Sequence, residues 1–166
     1  MTDMSKPSIF WWQKYGTLAQ MAQAVVALLG FVAILFQINE IRFSNRATSA
    51  RQAFLGYTDL AIKNPKFSAP DYDAIKASDR SQQAQYESFV SYFLYACEEA
   101  TAAFADKHEW TASCDYDLRP HLPFLCEKSQ AEPAYLDTFS AGTQRWVKAS
   151  LKTASVTPPD CKLGKT

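Results

Sequence analysis

Cys114, His121 and Cys126, with Cys97 and His108 upstream, are the residues of this 166-residue chain whose types suit a metal ion. Zinc sites usually fix two ligands at once through a tight C-x₂₋₄-C or H-x₃₋₅-H pair. Here the gaps are six and four residues and straddle Pro120 and Pro123, so neither a metal site nor a cofactor is assigned. The four cysteines, Cys97, Cys114, Cys126 and Cys161, are at least twelve positions apart and form no CxxC. An even count permits two disulfides. Cys97, however, falls at a core-facing helical position, where a free thiol packs as a small hydrophobe. The cysteines are therefore expected to be reduced and structural.

Carboxylates pair at Glu98/Glu99 and Asp71/Asp73. Acid–base catalysis needs such groups to converge on a pocket with shifted pKa values. Helix neighbours diverge by about 100°, so one of Glu98 and Glu99 faces inward. Its expected role is structural, paired with an arginine such as Arg80 or Arg145. Asp106-Lys107-His108-Glu109 reads as a solvated turn, and His108 and His121 as capping or packing residues. No serine sits in a G-x-S-x-G frame. No catalytic residue is assigned, and the enzyme question leans to no. Seventeen basic residues balance seventeen acidic ones and are dispersed, which gives nucleic acid nothing to bind.

The best-defined pattern is Gly16, Gln20, Gln23, Ala27, Gly30, Ile34 and Gln37, at spacings of four and three. Six of these seven are small or amide-bearing. Helices in a membrane associate through close approach at small residues and through side-chain hydrogen bonds. This face is expected to associate with a second copy or another membrane protein.

The seam lies on Tyr15 to Asn39, twenty-five residues without Asp, Glu, Lys or Arg. As a helix it reaches about 37 Å, enough for the ~30 Å hydrocarbon layer of a bilayer. Trp11 and Trp12 before it suit the headgroup level, as do Arg42 and Arg46 after it. A signal peptide would have an apolar core of 7–15 residues and a small-residue cleavage site. Leu18 to Phe36 is nineteen residues and ends in Gln37-Ile38-Asn39-Glu40. A retained single-pass anchor is expected over a signal peptide or a buried core helix. Basic residues nearly balance across the span, so the unpaired look of the cysteines decides for a cytoplasmic C-terminal domain.

Forty-eight per cent hydrophobic and 14% aromatic residues exclude global disorder. After the span, Ala50, Ala53/Phe54, Tyr57 and Leu60/Ala61 keep helical spacing until Asn64-Pro65 stops it. Ser68 to Asp71 resembles a capping box for a short helix through Ile75. Asp79 or Ser81 caps a helix over Gln82–Ala105, with Tyr86, Phe89, Phe93, Cys97 and Phe104 on its apolar face. A broken helix follows over Trp110–Cys126. Ser129 to Glu132 reads as the cap of a last helix over Pro133–Ser155.

The predicted class is all-α: one N-terminal transmembrane helix continuing into a small antiparallel helical bundle. Residues 1–14 form a tail and interfacial segment, 15–39 the span, 40–155 the helical domain and 156–166 a disordered end. The expected function is a membrane-anchored interaction module that self-associates through the span. A subunit of a larger membrane complex is the alternative. A tethered enzyme or effector working near Glu98, His108 or His121 ranks below both.

Overall fold

The computed structural model describes residues 9–104 and 108–153, with only the backbone described at 9–15 and 17. No strand occurs among them. Helix α1 runs Ile9–Lys63. It ends where predicted: Pro65 has no amide proton and pushes Asn64 out of helical geometry, and the Asn64 amide nitrogens cap Leu60 O at 2.9 and 3.0 Å. The chain divides between Ser44 and Asn45 into two compact units.

The first unit holds the apolar stretch. Its large side chains are uncovered, among them Leu18, Met21, Val26, Leu29 and Phe36, the last 74% exposed. No part of its most apolar stretch is buried.

The second unit is built around α4, Arg80–Ala103. Asp79 caps it, accepting from Gln82 N at 2.8 Å. The predicted apolar face is the buried one: Tyr86, Phe89, Val90, Phe93, Cys97 and Ala100. Around it pack the end of α1 through Ala53 and Tyr57, α5 (His108–Leu118), α6 (Leu122–Ala131) and α7 (Ala141–Thr153). Phe93 lies at the centre, with ring centroids 5.0 Å from Tyr57, 5.6 Å from His121 and 6.4 Å from Trp146. Phe104 stacks on Trp110 at 5.3 Å, and Phe54 meets the same indole edge-on at 5.1 Å. Gly56 lets the Tyr92 hydroxyl lie against α1, where a Cβ would collide with it.

Two predicted caps fall elsewhere. Helix α2, Pro65–Ser68, takes up Ser68, whose hydroxyl bonds back to Pro65 O at 3.1 Å. Asp71 instead caps α3, Tyr72–Lys76, accepting from Ala74 N at 3.2 Å. Ser129 likewise lies inside α6 and bonds to Leu125 O. The predicted Pro133–Ser155 helix is two pieces, a 3-10 segment over Pro133–Thr138 and then α7. The break falls at Phe139, which is extended, and Ser140 restarts the helix with its side chain accepting from Thr143 N at 3.3 Å. The C-terminal end beyond Thr153 and the first eight residues lie outside the described residues.

The cysteine expectation is overturned. Cys97 on α4 and Cys114 on α5 form a disulfide, with Cα atoms 5.9 Å apart and both residues 1% exposed. Cys126 is disulfide-bonded too. Cys97 does face the core, but a half-cystine fits a core position as well as a thiol does.

Candidate functional site

On α1 the residues Gly16, Gln20, Gln23, Ala27 and Gly30 are all exposed. At Gly16 and Gly30 no atom lies within 4 Å of where a Cβ would stand, so both present open backbone. Four-and-three spacing keeps the five on one side of the helix. That side combines close-approach positions with two amides, the pair of features that intramembrane helix contacts use. Arg42 and Arg46 are exposed on the same helix; the side chains of Trp11 and Trp12 lie outside the described residues. Arg51 sits 5.8 Å above the Phe104 ring, so its charge is partly engaged within the domain.

Several of the groups that suited chemistry are occupied in holding the domain together. Glu98, half-buried, takes no arginine partner of the kind expected. Its carboxylate accepts from Ser140 N at 3.0 Å and from the Thr143 hydroxyl at 2.7 Å. A carboxylate bonded to the Ser140 amide and the Thr143 hydroxyl fastens the start of α7 and meets the positive end of the helix dipole. The sequence could not show this, because the partners are more than forty residues apart. Asp115 accepts from the Trp146 indole, joining α5 to α7. Lys128 on α6 bridges Glu87 at 2.9 Å and Glu132 at 2.7 Å. With Cys114 and Cys126 in disulfides, the proposed ligand set has no thiolate to offer, and no cluster of three or more metal-ligating side chains occurs among the described residues.

Among the described residues, His121 is the buried side chain with an unpaired polar atom. It is 0% exposed; its Nδ1 pairs with the Tyr86 hydroxyl at 2.9 Å, while Nε2 has no protein partner. Tyr86, Phe89 and Phe93 surround the ring. Burial lowers its pKa from 6.5 to about 4 and keeps the imidazole neutral. Above pH 6.5 the ring is neutral in folded and unfolded chain alike. As pH falls through 6.5 toward 4, the unfolded chain takes up a proton that the fold refuses, so stability drops. The total loss is about 3 kcal/mol, with about 2 of it reached by pH 5. Urea unfolding of the full chain in detergent between pH 7 and 5 is expected to show this slope, and His121→Phe should flatten it. A wild-type stability that is level over that range would contradict the burial.

His108 opens α5 and is exposed. None of Glu98, His108 and His121 lines any of four grooves on the second unit. One such groove has an apolar floor. It lies where Leu118, Pro120 and Pro123 face Trp146 and Ala149, and it holds about 670 Å³. No family of known proteins, no curated protein and no solved structure matches this chain.

Proposed function

We propose that this chain is a single-pass membrane-anchored interaction module whose apolar helix self-associates in the bilayer while holding a helical domain at its surface. The observation that carries the reading is the complete exposure of the apolar stretch of α1. A core helix of a soluble protein would have its large side chains covered. A bare apolar helix of this length is at home in lipid, where every backbone group is already paired along the helix. Association through Gly16, Gln20, Gln23, Ala27 and Gly30 would satisfy amides that are costly to leave alone in hydrocarbon.

The domain belongs, in this reading, on the oxidising side of the membrane. The cytoplasmic placement expected from sequence rested on unpaired cysteines, and the Cys97–Cys114 bond removes that ground. Disulfides persist in secreted, lumenal and periplasmic compartments and are rare where glutathione and thioredoxin keep thiols reduced. The near balance of basic residues across the span offers little resistance to this orientation.

Crosslinking the full chain in native membranes tests the association. Wild type is expected to give a dimer or higher band, and Gln23→Leu with Gly30→Leu is expected to reduce it about tenfold. Each intramembrane hydrogen bond contributes roughly 0.6 kcal/mol, so most of that loss comes from closing the glycine approach. An unchanged band would remove the seam from the account.

A further inference from the structure

Among the described residues of the second unit, Leu55 and Ile62 are the large aliphatic side chains left most open, at 68% and 74% exposed. Both lie on the end of α1 that belongs to this unit, where Ala50, Ala53 and Tyr57 are buried in the core. At about 100° per residue, Leu55 stands about 160° round the helix from Ala53 and from Tyr57, and Ile62 about 140° from Tyr57. The two therefore share the face turned away from the core. Single exposed leucines are ordinary on a protein surface. What sets these two apart is their register. In the sequence, the four-and-three series of the seam runs on past Gln37 and, after two further steps, continues as Thr48, Arg51, Leu55, Thr58 and Ile62.

We propose that this outer face of α1 packs against the same face of a second copy, Leu55 on Leu55 and Ile62 on Ile62, in a parallel helix pair outside the bilayer. The proposal rests on the self-association reading and extends it into the helical domain. Copies anchored in one membrane run in the same direction, so equal positions meet, and apolar residues seven apart are what a parallel pair interleaves. Thr58 spends its hydroxyl on Phe54 O at 2.9 Å and leaves its methyl for the contact. Arg51 is held over the Phe104 ring of its own domain, and Asp59 beside the strip is paired with Lys63 at 2.6 Å. Pairing therefore strips no charge of its partner. Lipid is not the cover for these side chains. Arg42, Arg46 and Arg51 intervene in the sequence between the apolar stretch and Leu55, and such charges are costly in hydrocarbon.

Single cysteines placed in the full chain in native membranes and oxidised with copper phenanthroline test the contact. Leu55→Cys and Ile62→Cys are expected to give a reductant-sensitive dimer above the wild-type background. It should be at least about fivefold stronger than with Lys63→Cys, turned about 100° from Ile62, or Tyr116→Cys, exposed on α5. Ala27→Cys reports the seam in the same assay. A dimer at Ala27 with none above the controls at Leu55 and Ile62 would overturn the outer-face contact and leave association through the seam standing. No dimer at any of the three would overturn both. Leu55→Glu with Ile62→Glu, which leaves the core untouched, should lower the Ala27→Cys dimer at least about threefold without moving the thermal midpoint. An undiminished dimer in that variant would also overturn the contact.

Discussion

Phe93→Ala is expected to destabilise the helical unit by about 3–5 kcal/mol, the largest effect of any single substitution considered for it. Phe93 is 0% exposed, and its ring faces Tyr57 from α1, His121 from the turn before α6 and Trp146 from α7. Truncation removes contacts to three elements at once and leaves a cavity that none of them can fill without the others moving. For a domain of this size the thermal midpoint of the full chain in mild detergent should fall by on the order of 10–20 °C. Phe93→Leu, which keeps most of the volume, should cost under about 1.5 kcal/mol. A Phe93→Ala midpoint within about 3 °C of wild type would place the ring outside the core.

Breaking the Cys97–Cys114 bond is the second large effect. The cysteines are 17 positions apart, and a loop of that length loses about 3 kcal/mol worth of unfolded-state freedom when closed. The bond also ties the C-terminal half of α4 to α5, on either side of residues 105–107. Cys97→Ala with Cys114→Ala should lower stability by about that amount, and dithiothreitol should lower wild type by at least as much, because it also opens the bond at Cys126. Both sulfurs are buried, so reduction of the native protein should be slow and should speed up in mild urea. A reductant without effect on the wild-type midpoint would contradict the bond's contribution.

These two predictions stand at opposite ends of what the residues alone make legible. The position of Phe93 follows from period: the buried residues of α4 repeat at three and four, and the sequence shows the same face. The end of α1 follows from Asn64-Pro65 for an equally local reason. Pairing of Cys97 with Cys114 does not follow, because four cysteines allow three connectivities and burial does not distinguish a thiol from a half-cystine. The cap of α7 shows the same limit. Ser129 and Pro133 form a plausible local signal, yet the helix starts at Ala141, where Ser140 and the distant Glu98 together satisfy its first amides. Local sequence proposes several starts, and tertiary hydrogen bonds choose among them. His121 is the reverse case: its apolar neighbours were visible along the chain, but only the fold brings the Tyr86 hydroxyl to its ring.

On α1 the sequence reading goes furthest and the fold adds exposure. The seam residues and the apolar side chains around them are bare, and what covers them is the question that separates a membrane module from every other reading. Protease protection in sealed vesicles with the cytoplasmic face outward is the most direct test. The account predicts that the chain stays with the vesicles, that a fragment holding α1 beyond its N-terminal end and the whole helical unit survives external protease, and that detergent exposes it to digestion. Loss of the helical unit without detergent would place the domain on the cytoplasmic side, and recovery of the chain outside the vesicle fraction would contradict the anchor itself.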